Sequence, residues 1–210
     1  MFYEPRLGHG LPHDPFKAIV APRPIGWIST VDAAGRPNLA PYSFFNAVHS
    51  SPPMLAFTSE SMKHSAANAI ATGEFVFNLS TRPLFEAMNI SSGALADGED
   101  EFAAAGLDKA PCHIVKAPRV AAAPASMECK VVHSMQLHDV TGAALAGWII
   151  IGQVVGVHIQ EGFIRDGRFD TAAAQSLARC GYRDYAAVTE LFEALRPTDG
   201  GGYAAGQKDR

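Results

Sequence analysis

Arg23-Pro-Ile-Gly-Trp-Ile-Ser-Thr30, a short break, and then Asn38-Leu-Ala-Pro-Tyr-Ser-Phe-Phe-Asn46 decide how this chain reads. Ile25 to Val31 and Asn38 to Tyr42 are strand-like, and Asp32-Ala-Ala-Gly-Arg-Pro37 between them carries the Gly and Pro of a turn, so the pair predicts a hairpin. Into that hairpin the sequence packs paired prolines, hydroxyls, aromatics and an amide, which is more chemistry than a β core requires. A bound planar, phosphorylated ligand accounts for the excess.

Outward from the hairpin, strands dominate. Met54 to Ser59 and Phe75 to Ser80 are short apolar runs. Glu128 to Val140 alternates, with Cys129, Val131, Met135 and Leu137 expected on one face and Glu128, Lys130, Ser134 and Gln136 on the other. From Trp148 to Gln160, Ile149, Ile151, Val155, Val157 and Ile159 are expected to line one face, with glycines opposite them in a curved sheet. Helical composition falls at Ser65 to Thr72, Pro83 to Ser91, Glu99 to Ala105 and Ala172 to Arg179, with Gly73, Gly93, Gly106 and Gly181 as stops. The expected class is therefore mainly β, a closed or nearly closed antiparallel barrel with peripheral helices. A doubly wound nucleotide fold needs regular strand-helix alternation and a glycine-rich turn, and neither G-x-G-x-x-G nor G-x-x-x-x-G-K occurs.

Composition narrows the partners. The 210 residues are 48% hydrophobic and 18% charged, enough to bury a sizeable core in one compact domain. A net charge of -4 with no basic cluster argues against nucleic acid and anionic membrane surfaces. Met1-Phe-Tyr-Glu-Pro-Arg has no export-signal pattern and Trp148 to Ile159 is too short and too interrupted to span a bilayer, so a cytoplasmic protein is expected. Residues 1–14, with His9 and His13, read as a solvated surface arm, 15–195 as the domain, and 196–210 as a disordered tail. Cys112, Cys129 and Cys180 lie far apart without paired spacing, which predicts buried or inert thiols and no metal site.

Flavin mononucleotide fits the chemistry on offer. Its phosphate asks for a cation, hydroxyls and free backbone N–H groups, and its ring for an apolar wall with amides at the polar edge. Lys63 two residues before Ser65, at a predicted helix start, places an ammonium, a hydroxyl and a helix N-terminus together. Ser29, Thr30 and Ser43 add hydroxyls; Trp27, Phe44 and Phe45 add flat apolar surface; Asn46 and Asn68 add amides. The Phe44-Phe45-Asn46 run is expected on a strand edge, where backbone amides can meet a ligand.

The runs IVAPRPIGWISTVDAAGRPNLAPYSFFNAV, SSPPMLAF, KHSAAN, EFVFNLS, PASMECKVV and IIGQVVGVHI together resemble the flavin reductase-like family of FMN-binding split barrels, in its flavoredoxin-like branch, over roughly residues 15 to 185. That resemblance implies a Greek-key split barrel, a homodimer with FMN at or near the subunit interface, and electron transfer between reduced nicotinamide and flavin. Residue by residue, it implies cofactor-binding roles for Trp27, Ile28, Ser29 and Thr30 on the first strand, Ser43 to Asn46 along the ring, and Lys63, His64, Ser65 and Asn68 at the phosphate, with Arg179 and Tyr182 approaching from a C-terminal motif. His64 stands where relatives often carry Asp, and His49 where a small polar residue is frequent. Glu128 is a candidate subunit contact or a water-facing strand residue. The expected reaction is hydride transfer from NADH or NADPH to FMN and onward electron transfer, with no obligatory catalytic side chain. An FMN electron carrier, a relative of pyridoxamine phosphate oxidases, and a non-catalytic flavin-binding module are the alternatives.

Overall fold

A computed structural model describes residues 1–93, 95 and 99–194; the expected tail at 196–210 lies outside the described residues. In chain order, α1 (Phe16–Ile19) leads into β1 (Arg23–Pro24), β2 (Gly26–Val31), β3 (Pro37–Tyr42), β4 (Phe45–Ser50) and β5 (Pro53–Ser59). Then come α2 (His64–Thr72), β6 (Glu74–Leu79), α3 (Phe85–Ile90), α4 (Glu101–Ala104), β7 (Lys109–Ala110) and β8 (Arg119–Val120). Two long strands, β9 (Ala125–His138) and β10 (Ala144–Ile159), are followed by β11 (Ile164–Arg165), β12 (Arg168–Phe169), α5 (Thr171–Ala174), β13 (Leu177–Gly181) and β14 (Asp184–Ala187). No helix among the described residues is long and apolar enough to cross a membrane.

The chain is mainly β. Its body is a seven-stranded antiparallel sheet in the order β3-β2-β6-β9-β10-β5-β4. The predicted hairpin is its first pair, with Ser29 opposite Leu39 and, on the other side, opposite Val76 of β6. The end strands β3 and β4 are not hydrogen-bonded to each other, so the sheet is not a closed barrel. β4, carrying Phe45 and Asn46, is an edge, with strand pairing on one side only.

Both faces of the middle strands are covered, which is why β2 is buried at all six positions. On one face Ile28, Phe57, Phe75, Cys129 and Ile150 pack under Ala66 and Ala69 of α2. On the other, Trp27, Leu39 and Val120 pack with Met88 of α3 and Phe102 of α4, and Val31 and Val76 pack under Val115 and Ala117. The segment 112–120 is therefore a strap laid across the second face. Burying about a Leu-sized side chain on either face contributes ~1.5–3 kcal/mol, so each cover is held by several such contacts.

Three expectations change. Along β10 the core residues are Ile150 and Val154, whereas Val157 is 55% and Ile159 41% exposed. Ile149-Ile-Ile151 is apolar on both faces, and the register shifts at Ile151/Gly152 and Val154/Gly156 reassign which residues point inward. On β9 Glu128 is 1% exposed beside fully buried Cys129, while Met135 is 53% exposed, so the alternation does not divide core from water. The predicted helix Ala172 to Arg179 stops after Ala174, where Gln175 takes φ 52°, and Leu177–Gly181 instead pairs with β1 and β14. Tertiary pairing overrides the helical propensity there.

Candidate functional site

α2 begins where the sequence placed it. Lys63 occupies its N-cap in extended conformation and makes no side-chain cap bond, leaving its ammonium exposed beside the first turn. The first-turn amides of Ser65 and Ala66 have no intrahelical acceptor, because the helix ladder starts with the Ala67 N–H on Lys63 O. At the other end Gly73 closes the helix in the left-handed conformation.

This N-terminus opens on a cavity of about 390 Å³ lined by Asn38, Pro41, Tyr42, Lys63, Ser65 and Ser91, among others. Ser65 is 1% exposed, and its Oγ accepts from Asn38 Nδ2 at 2.8 Å, which fixes the hydroxyl against β3. Burial pushes the Tyr42 phenol above its ordinary pKa despite its contacts with Ser65 and Ser59, so it is a neutral donor at neutral pH. Next to it, a second cavity of about 540 Å³ shares Asn38, His64 and Glu101 and adds Asn68. Asn68 Nδ2 donates to Thr30 Oγ1 at 3.2 Å, so one amide end is already spent on β2.

Tyr42 leads directly into Ser43 to Asn46, which lines a third cleft of about 350 Å³ with Pro22, Arg23, Pro24 and Ile149. Phe45 stacks on Phe77 with ring centroids 4.8 Å apart, and Gly26 exists to admit it: a Cβ at Gly26 would lie 2.4 Å from the Phe45 ring. Lys17 Nζ stands 5.4 Å from the Phe44 ring centroid, a cation over an aromatic face at the cleft rim. Asn46 is exposed, its Oδ1 taken by the Ala47 N–H at 2.8 Å. The buried Arg23 guanidinium donates to the carbonyls of Lys17 and Val20 and so ties the arm before β1 to the cleft floor.

The structure thus brings Lys63, His64, Ser65 and Asn68 together at one end and Ser43 to Asn46 at the other. Trp27, Ile28, Ser29 and Thr30 it places inside, each fully buried. Trp27 Nε1 donates to Ser91 Oγ at 2.9 Å, and Ser29 Oγ donates to Pro118 O at 2.5 Å, so their polar atoms are consumed by the protein itself. Arg179 pairs with Arg23 across β13 and β1, but neither it nor Tyr182 lines any of the three cavities. Its guanidinium lies 4.4 Å from the Tyr185 ring centroid and donates to Tyr182 O at 2.5 Å, and Tyr182 is 52% exposed at φ 42°. His49 is exposed, with Nδ1 2.8 Å from Pro52 O.

Two lining residues escape the sequence reading. Glu99 and Glu101 face the first two cavities, and Glu101 Oε2 accepts the Leu39 N–H at 3.2 Å. The acidic run Glu99-Asp-Glu101 was their signal, but nothing local places it opposite Lys63. An anion is therefore favoured at the α2 end of the cavity and disfavoured toward α4.

Glu128, a candidate subunit contact or water-facing residue by sequence, does not face water: it is 1% exposed within the chain. Its carboxylate accepts the N–H groups of His113, Ile114 and Val115 at 2.9, 2.6 and 2.8 Å and meets His158 Nε2 at 2.6 Å. Burial would raise its pKa, but those N–H groups and the His158 ring outweigh burial and hold it at about 2. The same carboxylate, with burial as the larger cause, pushes the Cys112 thiol up to about 12, and burial pushes Cys129 up as well, so both are protonated at neutral pH.

An uncharacterized protein of Deinococcus radiodurans is 36% identical over 194 residues, covering 86% of this chain and 82% of its own. Nitrilotriacetate monooxygenase component B from Bacillus cereus superposes with TM-score 0.83 at 28% identity, over 92% of this chain and 98% of that one. Flavoredoxin of Desulfovibrio vulgaris superposes with TM-score 0.73 at 24% identity, over 83% and 91%, a likeness of fold. The flavin reductase like domain model matches residues 20–172, and the chain belongs to that family, with its split-barrel fold.

Proposed function

We propose that this protein is an FMN-dependent oxidoreductase that takes reducing equivalents from NADH or NADPH and passes them on, working as a homodimer in the cytoplasm. The observation that carries the reading is the adjacency in the chain of Tyr42, which lines the cavity at the α2 N-terminus, and Ser43 to Asn46, which line the cleft at the start of the β4 edge. Family membership and a monooxygenase component among its structural neighbours support it.

The residues present fit the cofactor. Lys63 Nζ, Ser65 and the first-turn amides of Ser65 and Ala66 would hold the phosphate, where a dianion gains from both the ammonium and the helix N-terminus. His64 borders this end and Asn68 closes it from the second cavity. The β4 edge offers backbone donors to the polar rim of the ring, and Phe44 and Phe45 give it an apolar wall. Trp27, Ile28, Ser29 and Thr30 act from behind, keeping β2 and hence Asn68 and Asn38 in place. Arg179, paired with Arg23 of β1, and Tyr182 line none of the three clefts and are given no part in holding the cofactor within this chain. When bound, FMN supplies the acceptance of a hydride and its release as electrons, which no side chain here offers. Orientation and water exclusion are what the protein adds.

The test is anaerobic mixing of the flavin-loaded protein with NADH and, separately, NADPH. Bleaching of the flavin by at least one of them is expected. Failure of both leaves a carrier fed by another donor, and a protein that takes up no FMN ends the reading.

A further inference from the structure

On the strap face, away from α2, Cys112, Glu128 and His158 converge from the strap, β9 and β10, and one ligand atom of each lies within 4.8 Å of the other two. We propose that they form a binding site for a divalent transition metal ion of the Zn²⁺ type, with Cys112 Sγ, a Glu128 carboxylate oxygen and a His158 ring nitrogen as ligands.

The ligand chemistry is that of a borderline cation: one sulfur, one imidazole and one carboxylate suit Zn²⁺ and its neighbours rather than Mg²⁺ or Ca²⁺, which take oxygen sets. Glu128 has about four acceptor positions, of which three are filled by the N–H groups of His113, Ile114 and Val115. The remaining one faces His158 Nε2 at 2.6 Å, where a proton now bridges two groups that a cation can bridge instead. Those N–H bonds are also the supporting shell that a metal-bound carboxylate needs. The His113 ring stacks on His158 with centroids 5.3 Å apart and planes 14° apart, which holds the imidazole in place. Gly156 leaves room, since a Cβ there would stand 3.3 Å from the Glu128 carboxyl.

Charge balances as well. Binding releases the Cys112 thiol proton to solvent while the neutral His158 ring keeps its one proton on the nitrogen turned away from the ion, and thiolate plus carboxylate then neutralise the two positive charges. Burial of Glu128, 1% exposed, is thereby matched by a cation that costs no net buried charge. Three protein ligands leave one position of a tetrahedral set for water. The ion would cross-link the strap to two neighbouring strands.

Chelator-treated full-length protein titrated with Co²⁺ tests this. One equivalent should bind with a thiolate-to-cobalt charge-transfer band, read as a difference spectrum against the metal-free protein, and Zn²⁺ should displace it. Cys112→Ser should abolish the band, and both it and His158→Gln should weaken Zn²⁺ binding on the order of 100-fold against a chromogenic chelator. Both substitutions leave the Glu128 carboxylate and its three bonds to the strap N–H groups in place. No stoichiometric binding, or an unchanged band in Cys112→Ser, overturns the proposal.

Discussion

The two faces of the central sheet are covered by opposite means. Toward α2 the sheet is apolar, with Ile28, Phe57, Phe75 and Ile150 under two alanines, and every polar group that matters sits at the rim where the cavities open. Toward the strap it buries acceptors: Asn78 Oδ1 takes the Val120 N–H at 2.8 Å, Glu74 takes the Lys116 N–H at 2.6 Å, and Glu128 takes three more. A helix satisfies its own backbone and needs only a greasy seat, whereas an irregular strap must export its N–H groups, and buried carboxylates and an amide receive them. The first face keeps its polar groups at the cavity rim, where a ligand can reach them. The second spends its polar chemistry on holding the chain.

The largest expected effect falls on the strap face. Glu128→Ala removes a buried carboxylate that accepts three strap N–H groups, that of Val115 buried, and stability measured by urea unfolding should fall by ~3–5 kcal/mol, the usual cost of removing one partner from a buried charged network. A loss under ~1 kcal/mol would mean that Val115 and Ala117, with the bonds of Lys116 to Glu74 and Val120 to Asn78, hold the strap without Glu128. The pH profile carries the same information. Because the Glu128 pKa is depressed to about 2 in the fold, its stabilisation is present above the ordinary carboxylate range of ~4.3 and is lost as pH falls toward 2. Wild-type stability should therefore drop more steeply over that window than that of Glu128→Gln.

On the α2 face the sharpest test is packing. Gly152→Ala puts a Cβ 2.4 Å from the Phe75 ring and 3.0 Å from Cys129, and should cost ~1–3 kcal/mol in thermal unfolding, with strap-dependent acid sensitivity unchanged. Wild-type stability in this variant would show that the face is loosely packed.

The hairpin, the α2 start and the edge position of Phe45 and Asn46 were legible because each rests on local signals: turn residues, a cap position and an apolar run. The role of Glu128 was not. In sequence it is one polar residue in an alternating strand, and only the fold brings the amides of His113 to Val115 onto it. Ile149-Ile-Ile151 offered no basis for choosing a face, because bulges on both β9 and β10 reset the parity. Cys112 and His158, 46 positions apart in the chain, lack any spacing motif and meet only through the strap. Trp27 and Ser29 look like ligand groups in a hairpin with one open face, but β2 is covered on both.

Where the phosphate lies is measured by FMN affinity in Lys63→Ala against Lys130→Ala. Lys130 pairs with buried Glu74 at 2.6 Å on the strap face, so its loss touches stability and not the cavity. Lys63 is expected to contribute a charge-assisted bond, typically ~1.5–3 kcal/mol, so Lys63→Ala should bind FMN about tenfold more weakly or worse while Lys130→Ala retains wild-type affinity. Equal losses in the two variants would contradict the assignment of the α2 N-terminus as the phosphate site.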